Sequence, residues 1–280
     1  KAFKDIIREQ GTTAIYVTHD LSVVAQMADR ILVLKDGAVV EMGDTDQIIH
    51  APQHAYTKTL MDAVTPAERP GHLPAADPEI ILSARNITAG YGAVTILRDV
   101  SVDVPKGTVV GVIGESGCGK STLARVIAGL TPTREGETCI AGKSVAPAVG
   151  DRDKATLRDC QIVFQMADTA LNPRMRIRDL LGRPLQFYHG LTGKAQAARV
   201  AELLTLVDLP PEFASRFPGE LSGGQKQRVN LARALAADPK VILCDEVTSA
   251  LDTVVAAGVI ALLNDLKDRL GISFMFISHD

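Results

Sequence analysis

The chain has 280 residues, 46% hydrophobic and 22% charged, with a net charge of −3 and an isoelectric point near 6.1. That length is ample for a sizeable core in one or two domains, and the composition is that of an ordinary globular protein. The acidic balance argues against a broad nucleic-acid footprint, and no apolar run reaches the ~18 residues of a membrane span, so any membrane role must pass through partners.

Residues 1–20 read as a helix with Phe3, Ile6 and Ile7 on one face, a stop at Gly11, and then a strand at Thr13–Val17 ending in Thr18-His19-Asp20. A second helix is expected at about 21–28. Ile31–Leu34 and Ala38–Glu41 flank Lys35-Asp36-Gly37, a hairpin signal because Asp-Gly tolerates positive φ. Residues 44–64 read as helical, with His54 a plain surface histidine, and the proline-rich stretch 65–78 as a linker. From Glu79 onward, strand-like runs occur at Ile80–Ala84, Thr95–Leu97, Val100–Val104, Thr108–Ile113 and Gln161–Phe164. The pattern is helical from about 168 to 220, with breaks expected at Asn172-Pro173, Pro184 and Pro210-Pro211. Arg174, Arg176 and Arg178 read as a solvated basic face. Val241–Cys244 is a fully apolar strand, 254–269 an amphipathic helix, and Ser273–Ile277 a strand before Ser278-His279-Asp280. Alternating strands and helices imply a mostly parallel sheet, with ligands gathered at the carboxyl ends of its strands.

Cys118, Cys139, Cys160 and Cys244 show neither metal-type spacing nor a disulfide framework, and thiols of this kind suit a reducing cytosol. No secretory signal is legible, and a chain that starts at Lys1 inside an expected helix reads as a fragment. The two ends of the chain match. Laying His19 on His279 pairs residues 1–20 with 261–280 without a gap, and Asp5/Asp265, Gly11/Gly271, His19/His279 and Asp20/Asp280 are identical. An offset of 260 residues far exceeds that of solenoid repeats and points to tandem copies of a larger domain.

The chemistry centres on Gly111–Thr122, where an apolar strand runs into a glycine-rich turn that opens a helix. Gly114, Gly119, Lys120 and Ser121 fill the G-x-x-x-x-G-K-[ST] phosphate-binding pattern. Glycines let consecutive N–H groups face one anion, and the helix start adds its positive end. Lys120 supplies a mobile charge for the outer phosphates, and the Ser121 hydroxyl is placed to ligate Mg²⁺. Downstream, Val241–Cys244 ends in Asp245-Glu246. An acid at such a strand tip holds Mg²⁺ in enzymes with this loop, and the second acid is placed to polarise an attacking water. Leu221-Ser222-Gly223-Gly224-Gln225 before a strong helix makes a second anion site, weak by itself. Gln165, at the end of a strand, and Tyr91, between Gly90 and Gly92, read in isolation as a surface residue and a turn residue.

The order Tyr91, GESGCGKST, Gln165, LSGGQ, Asp245-Glu246, Ser249-Ala-Leu-Asp252, His279 resembles the nucleotide-binding domain of ABC transporters over essentially all of 79–280. The resemblance implies an α/β fold: a P-loop NTPase (RecA-like) core with a mostly parallel sheet, an antiparallel β subdomain, and the helical subdomain particular to ABC proteins at about 168–220. It implies three segments. Residues 1–64 resemble the C-terminal part of a first such domain from its histidine loop onward, 65–78 the linker, and 79–280 a second domain truncated after its own histidine loop. The bound cofactors implied are ATP and Mg²⁺. Gly114, Glu115, Ser116, Gly117, Cys118, Gly119, Lys120, Ser121 and Thr122 would cradle the phosphates, and Tyr91 would stack on adenine. Ser121, Gln165 and Asp245 would serve the metal, with Glu246 as base. His279 would contact the γ-phosphate in its own domain, and His19 is its copy in the first. Ser222, Gly223, Gly224 and Gln225 would reach the ATP of a facing domain, with Asp252 contacting across that dimer.

The implied partners are integral-membrane permease subunits, a second nucleotide-binding domain (the tandem copy or a homodimer) and, indirectly, a substrate-binding protein, with no nucleic acid. The implied location is the cytoplasmic face of the inner membrane, peripherally bound. Leu171-Asn-Pro-Arg174 and His50-Ala-Pro-Gln-His54-Ala-Tyr-Thr-Lys-Thr-Leu60 resemble the ATPases of oligopeptide and dipeptide importers. A soluble non-transport ABC ATPase, or a fragment that binds nucleotide without turnover, is the alternative. Met166-Ala167 stands where an acidic-proline pair is expected, and Val247 where the family usually has proline. Two further expectations concern this chain alone. Residues 1–64 would complete the second domain's sheet, Thr13–Val17 competing with Ser273–Ile277 for one slot, and MgATP would slow alkylation of Cys118, since a helix start can lower a thiol's pKa.

Overall fold

The computed structural model describes residues 6, 9–18, 20–64 and 78–278. Two compact units divide the chain: Lys1–His72 with Asp252–Gly258, and Leu73–Leu251 with Val259–Asp280.

The first unit holds helix α1 (Leu21–Met27), strands β1 (Arg30–Lys35) and β2 (Ala38–Asp44), and helices α2 (Thr45–His50) and α3 (Ala55–Val64). β1 and β2 pair antiparallel, and their turn places Asp36 at φ 50° and Gly37 at φ 77°, as an Asp-Gly hairpin requires. Period-2 alternation sends Ile31 and Val33 into a small core with Ile48, while Leu32, Leu34, Val39 and Met42 stay exposed. The expected single helical stretch at 44–64 is instead α2 and α3, separated at 51–54 by a turn that Glu41 holds. Its carboxylate accepts the N–H groups of Gln53 (2.9 Å) and His54 (3.0 Å) and the Gln47 amide (3.1 Å).

Ile6, Glu9 and Gln10 are helical and Gly11 ends that helix at φ 59°, but the strand expected at Thr13–Val17 does not form. Ile15 and Val17 are each 93% exposed. A strand of this composition is stable only when paired on a sheet, and no sheet among the described residues includes this segment. Its copy Ser273–Ile277 is buried between two strands. That slot is filled, and all four strands of its sheet lie within 109–277.

The second unit is built on two sheets. Strands β3 (Ile80–Tyr91), β4 (Val94–Pro105), β6 (Glu135–Ile140) and β7 (Lys143–Ser144) form an antiparallel sheet in the order β4-β3-β6-β7. Strands β5 (Val109–Val112), β8 (Cys160–Val163), β9 (Val241–Asp245) and β10 (Ser273–Ile277) form a wholly parallel sheet in the order β5-β10-β9-β8. The runs expected at Thr95–Leu97 and Val100–Val104 are one strand, because Asp99 at φ 53° carries the chain through an irregular register. β6 and β7 had no clear signal in the sequence, since Glu135, Gly136 and Glu137 leave β6 half polar.

Helices α4 (Lys120–Ile127), α5 (Lys154–Asp159), α6 (Ala167–Ala170), α7 (Ile177–His189), α8 (Gly193–Leu206), α9 (Gly223–Leu235) and α10 (Thr253–Leu270) complete the described elements, with 3₁₀ turns at Val149–Asp151, Pro211–Ser215 and Pro218–Glu220. Pro184 lies inside α7 rather than breaking it. Leu180, Leu181 and Leu185 are buried around it, and that packing outweighs one lost backbone hydrogen bond. The parallel sheet separates two cores by its pleat. Val241, Leu243, Met275 and Ile277 face α4 and the antiparallel sheet, while Ile242, Cys244 and Phe274 face a core that includes Leu181, Leu203, Val229 and Leu266. Every residue of β9 is buried, so the acid at its tip is held by a strand with no solvent face.

Candidate functional site

The carboxyl ends of β5, β8, β9 and β10 lie side by side because the sheet is parallel, and the chemistry-bearing residues follow those ends. After β5 the backbone winds through Gly114 to Gly119 into α4. Gly119 sits at φ 107°, and a Cβ there would come within 3.0 Å of both Ile96 and Leu97 side-chain carbons. Only glycine serves that position. Lys120 is 7% exposed, and its ammonium donates to the carbonyls of Gly114 (2.7 Å) and Glu115 (2.9 Å), folding the turn over itself. Leu123, Val126 and Ile127 bury the opposite side of α4, which fixes the helix start under the turn.

The Ser121 hydroxyl donates to Asp245 Oδ1 at 2.7 Å, joining the helix start to the tip of β9. Asp245 is 4% exposed. The next residue, Glu246, has left-handed backbone (φ 50°), and its N–H donates to the Ile277 carbonyl at 3.1 Å. A non-glycine residue held there costs of order 1–3 kcal/mol, and it turns the carboxylate of Glu246 out of the strand line. The Gln165 amide nitrogen donates to Glu246 Oε2 and to Ser249 Oγ, both at 3.0 Å, so the chain after β8 reaches the tip of β9. Ser278 N–H donates to the Val112 carbonyl at 3.2 Å, tying the end of β10 to the strand before the phosphate turn.

Tyr91 ends β3, 44% exposed, with its hydroxyl 3.4 Å from the Arg125 guanidinium on α4. Hydrogen bonding by Arg125, then by Thr131, lowers its phenol pKa below the usual range. Arg134 fastens the turn beyond Tyr91 through Gly92 O (2.7 Å) and Thr95 Oγ1 (2.8 Å).

Ser222 caps α9 in a capping box: its N–H donates to Gln225 Oε1 at 3.0 Å and its Oγ accepts from Gln225 N–H at 3.3 Å. Asp252 Oδ1 accepts the Val255 N–H at 3.0 Å at the start of α10. His19 and His279 lie outside the described residues. Val247, in the place where proline was expected, is 3% exposed and packs into the core with Leu251 against it.

The structure thus brings Lys120, Ser121, Gln165, Asp245 and Glu246 into one hydrogen-bonded region. Ser249, Arg125 and Arg134 were missed as contributors: Ser249 stood inside a quoted motif without a role, and neither arginine carries a sequence signal. Ser121, Asp245 and Gln165 offer hydroxyl, carboxylate and amide oxygen, a hard donor set that suits Mg²⁺.

Residues 97–249 match the family described as ABC transporter, and residues 40–88 match the oligopeptide/dipeptide transporter C-terminal region. The chain belongs to the ABC transporter family. It is 38% identical over 312 residues to the glutathione import ATP-binding protein GsiA of Escherichia coli (strain K12), an alignment covering 99% of this chain and 50% of that protein. The chain therefore spans about half the length of the curated relatives it matches. Among solved structures it is similar to the dimeric post-hydrolysis state of the ATP-binding cassette MJ0796 bound to ADP and Pi, at a TM-score of 0.61 and 32% identity, covering 71% of this chain and 88% of that one. A nucleotide-free ATP-binding cassette from an ABC transporter matches at 0.62 and 28%, covering 72% and 82%. The expected fold class, with its parallel core, antiparallel sheet and helical elements, is the observed one.

Proposed function

We propose that this chain is the ATP-binding and ATP-hydrolysing part of an ABC importer for dipeptides or oligopeptides, carrying the end of one cassette (1–64), a linker (65–78) and most of a second (79–280). The observation that carries the catalytic reading is the convergence of Lys120, Ser121–Asp245 and Gln165–Glu246 at the carboxyl ends of one parallel sheet. The importer reading is supported by the oligopeptide/dipeptide region at 40–88 and by a relative named for import of glutathione, itself a small peptide.

In this reading the turn from Gly114 to Gly119 and the start of α4 bind the phosphates through backbone N–H groups. Lys120 exchanges its carbonyl partners for phosphate oxygens. Tyr91, with its face exposed beside Arg125, takes the base. Ser121, Asp245 and the Gln165 amide oxygen would hold Mg²⁺, which when bound neutralises phosphate charge. Glu246 accepts a proton from the attacking water, and Gln165, hydrogen-bonded to it, orients that carboxylate. Ser222, Gly223, Gly224 and Gln225 present helix N–H groups to the ATP of a facing cassette, and Asp252 lies at that dimer contact. His279 would reach the γ-phosphate, as would its copy His19 in the first cassette.

The partners are permease subunits in the membrane, a second cassette and, through the permease, a substrate-binding protein. Among the described residues no helix is long and apolar enough to cross a membrane, which fits peripheral attachment at the cytoplasmic face. Steady-state phosphate release tests the reading. Glu246→Gln should lower turnover by about 10²-fold or more while ATP binding persists, and unchanged turnover would remove Glu246 from the base role. Isolation in complex with integral-membrane permease subunits supports the importer assignment; stable association with ribosomes overturns it.

A further inference from the structure

Gln165 sits in a bend between two anchored pieces of backbone. Before it, β8 is locked in the sheet, with Val163 paired to Cys244 of β9. After it, the four-residue helix α6 leaves the sheet. Three side chains of α9 hold the chain on either side of Gln165. The Asn230 amide donates to the Phe164 carbonyl at 3.4 Å, Arg233 donates to the Ala170 carbonyl, and the Lys226 ammonium meets Asp168 Oδ1 at 2.6 Å. A further bond of 2.9 Å from Arg233 to Asn230 Oδ1 links two of the three. The spacing 226, 230, 233 puts them on one face of the helix. Asn230 is fully buried, whereas Asp168 in the Lys226 pair is 67% exposed. An exposed pair contributes little, so the hold rests on Asn230 and Arg233.

α9 is also the helix that Ser222 caps, a rod of 13 residues, roughly 20 Å long. A continuous hydrogen-bonded route therefore runs from the Ser222–Gln225 turn, down α9, through Asn230 and Arg233 to residues 164–170, and on through Gln165 to Glu246. We infer that Asn230 and Arg233, aided by Lys226, are positioning residues that make the Gln165 bend move with α9, so that phosphate bound at Ser222–Gln225 sets the contact between Gln165 and Glu246. The inference rests on the proposed function, in which those two ends belong to different ATP sites. Binding at one site then alters the alignment of the base at the other without any contact between the two nucleotides.

The test compares the wild-type chain with Asn230→Ala, Arg233→Gln and Arg233→Lys, using ATP as the probe. Lysine keeps the charge but lacks the planar fork by which two separate guanidinium nitrogens meet Ala170 O and Asn230 Oδ1. Three quantities are read: equilibrium binding of ATP, kcat and KM for turnover, and amide hydrogen exchange of the 164–170 segment. Asn230→Ala and Arg233→Gln should speed exchange at 164–170 and lower kcat roughly tenfold or more, with ATP affinity and KM changed by less than about twofold. Arg233→Lys should recover part of the lost kcat. Faster exchange at 164–170 with wild-type kcat overturns the inference. So does a fall in turnover accompanied by faster exchange throughout β8, β9 and α9, which is what a merely structural role gives. A wild-type chain without turnover overturns the proposed function and this inference with it; wild-type turnover matched by the variants overturns the inference alone.

Discussion

At the scale of single residues, the two cysteines nearest the chemistry are in opposite situations. Cys118 is exposed in the phosphate turn, and its Sγ lies 2.9 Å from where a Cβ on Gly114 would sit. Cys244 is fully buried one residue before Asp245, and burial, then that carboxylate, pushes its thiol up to about 12. Alkylation proceeds through the thiolate, so at pH 8 iodoacetamide should label Cys118 and leave Cys244 untouched in the native chain. MgATP should slow labelling of Cys118, because bound phosphate fills the turn around it. Mass spectrometry of the labelled peptides checks both; equal labelling of Cys118 with and without nucleotide removes the phosphate from that turn. These residue identities were legible because a phosphate turn dictates residue type at fixed spacing. The partners Ser249, Arg125 and Arg134 were not, since each meets a residue far away in the chain and nothing in local sequence marks its aim.

Elements tell where sequence pattern suffices and where the rest of the molecule decides. Ser273–Ile277 matches its expected bounds because a short run, apolar after its first residue, has one stable environment, a buried parallel strand. Thr13–Val17 has nearly the same pattern and no such environment, and it stays exposed. Pattern therefore states what an element needs; whether neighbours supply it is a property of the whole chain. Pro184 shows the converse, a local breaker absorbed by a helix whose apolar side is well buried. Glu41 was missed because its work is to organise a turn a dozen residues away. The neighbouring Thr57 hydroxyl, then the Gln53 N–H, together with His54 N–H and the Gln47 amide, hold its carboxyl down at about 2, from an ordinary 4.5. A lowered folded-state pKa contributes stability above the unfolded value and loses it as pH falls through the folded one. The first unit should thus be steady above about pH 4.5 and weaken between there and about pH 2. Glu41→Gln should be less stable at neutral pH and show little further change across that window. Amide exchange at residues 51–54 as a function of pH measures this, and a wild-type profile in the variant would show that the carboxylate does not hold the turn.

For the molecule as a whole, the proposed function places this chain's phosphate turn and its Ser222–Gln225 turn in different ATP sites, which makes hydrolysis a property of two facing cassettes. A closed pair of identical chains is two-fold symmetric, so each site takes one turn of each kind from opposite chains. Defects in the two turns should therefore complement. Lys120→Ala removes the phosphate cation from every site of its own dimer. Gly223→Asp puts a negative charge against the facing phosphate; the helix start tolerates an acidic residue, and a Cβ there meets only Leu251 at 3.6 Å, an ordinary contact. Each variant alone should be nearly inactive. In a dimer that combines them, one site carries both defects and the other carries neither. An equal mixture makes mixed dimers half of all dimers, so turnover should return to about a quarter of the wild-type value if the sites fire independently. It should fall with dilution of the mixture, as dimers dissociate. If both turns instead served one ATP within a single chain, mixing would restore nothing at any concentration, since every molecule would keep its own defect. Phosphate release by the two variants, alone and mixed over a range of chain concentrations, therefore decides whether the active unit is one cassette or a facing pair.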